Sequence, residues 1–228
     1  MRMRSWSART RVWAGVVGLA LTGCGEEGGA RDHGSGRIVD KELAVTGFTG
    51  VRVSFGVHAD ITVGEPERVV LRGDDNLLER LQPKVVQGQL VLQRDALWEQ
   101  NPPTPTEPLR LTVVTPRFNR LQASAGARAR AVGVDSADFA LDVSSGAQVA
   151  LAGEAGRLSL EASSQGDADL RELVLQELHV QASSGARVHA NVTGAVSGEL
   201  SSGARLVCEG QPEVRLVSTS SGSDVNYP

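Results

Sequence analysis

An all-β solenoid with coils of about 19–20 residues is the fold class this sequence predicts, and three observations predict it. A serine- and glycine-bearing corner recurs six times at nearly constant spacing. Apolar and polar residues alternate on both sides of every corner. Aromatic residues make up only 4% of the 228, while 26 are glycine, which suits a narrow core stacked from Ala, Val and Leu rather than a wide globular one.

The corners are ASAGARARA from Ala123, VSSGAQVAL from Val143, ASSQGDADL from Ala162, ASSGARVHA from Ala182, LSSGARLVC from Leu200 and TSSGSDVNY from Thr219. Aligned on Gly126, Gly146, Gln165, Gly185, Gly203 and Gly222, they lie 20, 19, 20, 18 and 19 residues apart. After each corner one face carries Ala147, Val149 and Leu151, then Ala168 and Leu170, then Val188 and Ala190, then Leu206 and Cys208. Before it the same alternation reads Phe139-Leu141-Val143, Leu158-Leu160-Ala162 and Leu178-Val180-Ala182. Period two with small, branched and leucine residues predicts half-buried strands. Glycine tolerates the left-handed backbone of a tight corner, and serine bonds to nearby backbone. Two or three short strands per turn, stacked coil on coil, make a β-helix. A β-sandwich also has short, regularly spaced strands, but it does not require the same tripeptide at every second turn.

Ser54 to Gly64 repeats the layout of Ser144 to Gly153 and is expected to form a first coil. Between it and Gly126, Asp74 to Leu81 predicts a short helical turn with an acidic start. Gln87-Gly88-Gln89 predicts a hairpin between Val85-Val86 and Leu90-Leu92. Trp98 to Pro108 is a proline-rich loop, and Leu109 to Thr115 returns to strand.

The amino-terminal residues read as an address. Met1 to Arg11 is basic, and Val12 to Leu21 is an apolar run too short to span a bilayer but suited to a secretory signal. It ends in Leu21-Thr22-Gly23-Cys24, which resembles the lipobox of bacterial lipoproteins. That resemblance implies lipidation of Cys24 and cleavage before it, with the acyl chains holding the protein to a membrane. An ordinary signal peptide with an incidental cysteine is the competing reading. The expected organisation is a signal peptide at 1–23, a flexible Gly-rich tether at 24–37, and a β-helix domain at 38–228 whose part 38–118 is less regular than 119–228. Gly25, not Asp, follows Cys24; by resemblance to enterobacterial sorting rules this points to the outer membrane.

The formal net charge is −4; loss of the four leader arginines (Arg2, Arg4, Arg9 and Arg11) leaves 19 basic against 27 acidic residues, about −8. That disfavours a general phosphate-backbone binder, which needs an electropositive surface, and no nucleic-acid partner is expected. No Cys or Cys/His spacing points to zinc, and no cofactor is implied.

The chain resembles the bacterial family described as putative auto-transporter adhesin, head GIN domain. The resemblance covers about residues 38–228. It rests on Phe48-Thr49-Gly50-Val51, Gly73 to Leu78, Gly88 to Leu92, the repeated Ser-Ser-Gly-Ala and the closing Ser221 to Val225. It implies a right-handed, single-stranded β-helix. The third unit departs from the pattern with Gln165 where glycine is usual, which argues against a left-handed backbone there.

The candidate surface-binding residues are the outward ones: Arg128, Gln148, Asp167, Asp169, Arg187, His189 and Arg205, with Trp98 beside the proline-rich loop. Stacking would place Asp167 beside Arg187 and Asp169 beside His189. A solvated charge ladder and a binding surface both account for them. Asp169 and His189 are too few for a tight zinc site. Trp98 is either an exposed anchor or packed over the solenoid. Cys208 takes an inward position and reads as a small buried hydrophobe. No Ser/His/Asp nucleophile arrangement is present among these positions. Together these features predict a non-enzymatic, envelope-bound, adhesin-like module whose polar faces hold a glycan or protein partner. The alternatives are a structural or assembly protein of the envelope and, behind it, a carbohydrate-active enzyme using Asp167, Asp169 or Asp224.

Overall fold

The computed structural model describes residues 33–94, 98 and 100–228. The expected signal segment, Cys24 and most of the tether lie outside the described residues. The elements are β1 (Ile38–Glu42), β2 (Gly50–Val53), β3 (His58–Val63), β4 (Arg68–Asp74), α1 (Asp75–Leu78), β5 (Leu81–Val86), β6 (Gln89–Arg94), β7 (Arg110–Thr115), β8 (Arg120–Ala123), β9 (Arg128–Val143), β10 (Gln148–Ala162), β11 (Asp167–Ala182), β12 (Arg187–Leu200), β13 (Arg205–Glu209), β14 (Val214–Thr219) and β15 (Asp224–Asn226).

The fold is a β-solenoid of about five turns with almost no helix. β9, β10, β11 and β12 pair in parallel, each with the next, and β12 continues onto β13 and β14. Two or three short strands per turn were expected; instead one strand of 14–16 residues wraps most of each coil. The ladder survives the bend because a register shift absorbs it, between Leu151 and Gly153 where β10 meets β9. Gly153 sits there at φ 134°, and a Cβ on it would lie 2.1 Å from the Val134 carbonyl oxygen, so only glycine fits.

The corners stack rung on rung. In the Ser144 corner, Ser145 and Gly146 both have positive φ (51° and 71°), and the Ala147 N–H donates to the Ser144 carbonyl at 3.1 Å. Positive φ at both central residues is the mark of a type I′ turn, whose twist matches adjoining strands. The Gly146 N–H donates to the Ser164 carbonyl of the next corner at 3.0 Å, and Gln165, Gly185 and Gly203 continue the series through Ser184, Ser202 and Ser221. The corner at Ser54 joins the column through Gly56 and Ala125. Gln165 adopts φ 64° despite its side chain, so the expected loss of the left-handed backbone at that corner is overturned. The rung-to-rung bonds of the corners on both sides hold it in place.

The core follows the inward positions. Ala129, Val149, Ala168, Val188 and Leu206 form one buried row, and Phe139, Leu158, Leu178 and Val196 another. β3 pairs with β9 in parallel, so the coil begun at Ser54 lies directly against the one at Ser124. Residues 64–118 build the other side of that first coil. There β7 pairs with β3, β4 runs antiparallel to β7, and β1 runs antiparallel to β4. β6 pairs with β2 and closes the expected hairpin with β5.

Residues 33–37, assigned by sequence to the flexible tether, are held on this region. Gly34 N–H donates to the Thr104 carbonyl (2.9 Å), Ser35 N–H to Asn76 Oδ1 (3.0 Å) and Gly36 N–H to Asp74 Oδ1 (2.8 Å). No helix among the described residues is long and apolar enough to cross a membrane.

Candidate functional site

The parallel register turns the outward residues after each corner into columns. The first runs His58, Arg128, Gln148, Asp167, Arg187, Arg205, Asp224. The second, two residues further along each strand, runs Asp60, Arg130, Ala150, Asp169, His189, Val207, Asn226. Rungs are about 4.8 Å apart. Asp167 therefore neighbours Arg187 and Asp169 neighbours His189, as the alternation predicts.

The two columns treat their charges differently. In the second, charges are neutralised locally: Arg110 pairs with Asp60 (3.6 Å), Arg130 with Glu172 (4.0 Å) and Arg171 with Asp169 (2.6 Å). The Arg171 guanidinium holds the Asp169 carboxyl below its ordinary range, chiefly by direct hydrogen bonding, against a burial effect that raises it. Asp169 is thus engaged by its own strand neighbour rather than by His189. In the first column, Arg128, Gln148, Asp167, Arg187 and Arg205 make no side-chain hydrogen bond or ion pair to any described residue. Stacking places Asp167 next to Arg187, but they form no ion pair.

Two shallow troughs cross this face. One, of about 410 Å³, is lined by Arg110, His58, Arg128, Gln148, Asp167 and the small Ala150 among others. A second, of about 420 Å³, shares Arg130, Ala150 and Asp169 with it and continues along Ala152 to Arg171 and Glu172. Ala150 and Ala152 are low points between Arg130 on one rung and Asp169, Arg171 and Glu172 on the next, and the small alanine side chains make the depression.

Trp98 does not belong to this surface. It is 6% exposed, so of the two readings the packed one holds and Trp98 leaves the set of surface-binding candidates. It lines a small cavity of about 40 Å³ with Phe55, Val57, Leu81 and Leu109, and the Arg80 guanidinium lies 5.6 Å from its ring centre. The large indole is buried on the irregular region because the first coil leaves apolar area there to cover. Cys208 is buried beside Ala190, and burial pushes its thiol up to about 11.

Sequence reasoning missed two features. Asp74, read only as a helix start, is a buried carboxylate that accepts bonds from Gly36 N–H (2.8 Å), Thr106 N–H (2.9 Å) and Thr106 Oγ1 (2.7 Å). Burial raises its pKa, but the Thr106 and Gly36 bonds outweigh that and the net shift is downward. Its partners lie 32 and 38 residues away, so no local pattern marks it. The second is a column before the corners, Gln122, Asp142, Glu161, Gln181, Glu199 and Ser218, of which all but Gln122 line a trough of about 670 Å³ with His179. The same alternation, read two residues before each corner, would have found it. Among the described residues no group of three or more His, Cys, Asp or Glu is placed to hold a metal ion.

The architecture matches solved structures at low identity. A "putative adhesin" from Bacteroides fragilis superposes with a TM-score of 0.69 at 13% identity, over 86% of this chain and 99% of that one. A "putative lipid binding protein" from Parabacteroides distasonis gives 0.53 at 12%, over 87% and 99%. A "putative adhesin" from Parabacteroides merdae gives 0.50 at 12%, over 86% and 99%. At such identity these establish a shared fold. No curated protein matches the sequence. The family model does match, over residues 47–212, and the chain belongs to the family described as putative auto-transporter adhesin, head GIN domain.

Proposed function

We propose that this protein is a lipid-anchored component of the bacterial envelope that works as a non-enzymatic, adhesin-like binding module through the charged face after its corners. The carrying observation is the first outward column: Arg128, Gln148, Asp167, Arg187 and Arg205 stand on a rigid ladder with no side-chain partner among the described residues, and the first three line a shallow depression. Unpaired charges on a stiff sheet suit recognition, because the backbone ladder fixes their spacing and no internal ion pair has to be broken for a ligand to engage them. Family membership supports the adhesin-like reading.

The non-enzymatic reading is supported by Asp169, whose carboxyl is tied to Arg171 and held low, the wrong state for a general acid. Anchoring rests on the Leu21-Thr22-Gly23-Cys24 sequence, with the outer membrane as the destination and an envelope glycan or protein as the partner. A deletion strain is expected to lose whole-cell adhesion and binding to a panel of envelope glycans and proteins; unchanged adhesion and an empty panel refute the module. Metabolic labelling with a fatty-acid analogue is expected to mark the wild type and not Cys24→Ser; equal labelling refutes the anchor.

An assembly role is the second reading. It is favoured by β14, which pairs only with β12 and leaves Val214 and Leu216 exposed at the end of the solenoid. Light scattering separates the two, since assembly requires a concentration-dependent oligomer.

A further inference from the structure

We propose that the trough spanning Arg128, Gln148 and Asp167 is a site for a short zwitterionic peptide with free amino and carboxyl ends; this deepens the binding-module reading and rests on it. These three residues occupy consecutive rungs of one column and present a cation, an amide and an anion in that order. Each is without a side-chain partner among the described residues, whereas Arg110, Arg130 and Asp169 around them are already paired. The unpartnered column continues to Arg187 and Arg205, but only the Arg128–Asp167 stretch lines the depression.

The spacing selects the length of the ligand. Arg128 and Asp167 are two rungs apart, about 9.6 Å. An extended peptide advances about 3.3–3.6 Å per residue, so three residues carry a carboxylate to Arg128 and an ammonium to Asp167. The Gln148 amide, a donor and an acceptor together, then faces the peptide bonds between. Ala150 keeps the floor low beside them.

The lining favours a peptide over a neutral sugar chain. It contains no Phe, Tyr or Trp ring on which a sugar face could stack, and its polar groups are charges, the Gln148 amide and the small imidazole of His58. A purely anionic ligand would be repelled by Asp167, and a purely cationic one by Arg128.

The test is heteronuclear NMR on the purified full-length chain, titrated with tri-alanine bearing free ends. The expected result is a localised shift of the amides of residues 128–130, 148–150 and 167–169. N-acetylation or C-amidation of the probe should each weaken binding about fivefold, the size of one exposed ion pair. Arg128→Gln should weaken the free tripeptide by that factor and leave the C-amidated one unchanged; Asp167→Asn should do the same for the amino end. The double exchange Arg128→Asp/Asp167→Arg should restore affinity, with the peptide reversed. All three variants are at the surface, and unchanged amide spectra elsewhere confirm the fold.

Absence of shifts, equal binding of a doubly blocked tripeptide, or indifference to all three variants would overturn the proposal. A neutral chito-oligosaccharide that shifts these amides while tri-alanine does not would overturn it and leave the binding-module reading standing. No binding here together with unchanged whole-cell adhesion in the deletion strain would remove both.

Discussion

The regular coils from 119 onward and the irregular region before them are held together in different ways. In the coils, every position is supported by its equivalents one rung above and below, and no single polar contact matters much. Leu160, for example, lies between Leu141 and Val180. In the irregular region, antiparallel strands, a short helix and a proline-rich loop have no equivalents to stack upon. They are pinned by particular side chains: Asp74 to Gly36 and Thr106, Asn76 to the His33 carbonyl, and Arg37 to Asp75. Repetition spreads stability over many nearest-neighbour contacts, whereas a unique junction concentrates it in a few bonds.

The two ends of the solenoid differ in the same way. At the first coil, the antiparallel strands carry Asp40, Lys41, Glu42, Pro83 and Lys84, residues that discourage a further strand from adding. At the last coil the inward row that reads Leu158, Leu178 and Val196 ends in Arg215, and the row Ala147, Ala186 and Ala204 ends in Ser223. The Arg215 guanidinium lies 4.4 Å from the ring centre of Tyr227, and Ser223 Oγ donates to the Leu200 carbonyl at 2.9 Å. Polar inward residues thus close the apolar bore without a separate cap, as terminal repeats require.

Three substitutions break or sharpen this contrast. The largest effect is expected in the coils: Leu160→Ala, at a side chain 1% exposed, should cost about 2–5 kcal/mol by denaturant unfolding, because the rows above and below cannot close over the gap. A cost below about 1 kcal/mol would mean that the narrow core collapses freely.

Next comes Asp74→Ala, which orphans two backbone donors and should cost about 1–3 kcal/mol. Hydrogen exchange should quicken at residues 33–37 and 104–106 while β9–β12 keep their protection. Uniform loss of protection would show that the pins and the coils form one cooperative unit. The same carboxyl sets a pH dependence. Its folded pKa is depressed below the ordinary 3.8, so its contribution is complete above that value and is lost as pH falls through the depressed one. Selective opening of 33–37 as the pH falls below 3.8 is the expected observation.

The smallest effect is a gain. Gln165→Gly relieves a left-handed backbone in the one corner whose second left-handed position is not glycine, and should stabilise by about 0.5–1 kcal/mol in the same unfolding assay. A loss would mean that the Gln165 side chain contributes contacts of its own.

Much of the regular half was legible in the sequence. The corner spacing placed every coil, and the alternation sorted Ala147, Val149 and Leu151 inward and Arg128, Gln148 and Asp167 outward. The first coil at Ser54 was legible too, although about sixty residues separate it from its neighbour, because a stacked coil must repeat the layout of the coil it touches. Three things were not. The place where Trp98 packs is one, since an indole favours burial but nothing in a proline-rich stretch says where it folds back. The left-handed Ser145 and its equivalents were hidden because sequence rules assign positive φ to glycine alone. The tether boundary was set too late because Gly34 and Gly36 read as flexible until Asp74 is brought to them.

By itself, then, the sequence determined the rungs: their number, their order, and which side chains face in or out, because parallel stacking demands like residues at like positions. Only the tertiary structure decided how outward charges are shared. Each such side chain has neighbours along its strand and across two rungs, and Asp169 chose Arg171 on its own strand over His189 on the next. That choice is settled by reach and angle rather than by period, and in the neighbouring column Arg128, Gln148 and Asp167 have no side-chain partner among the described residues.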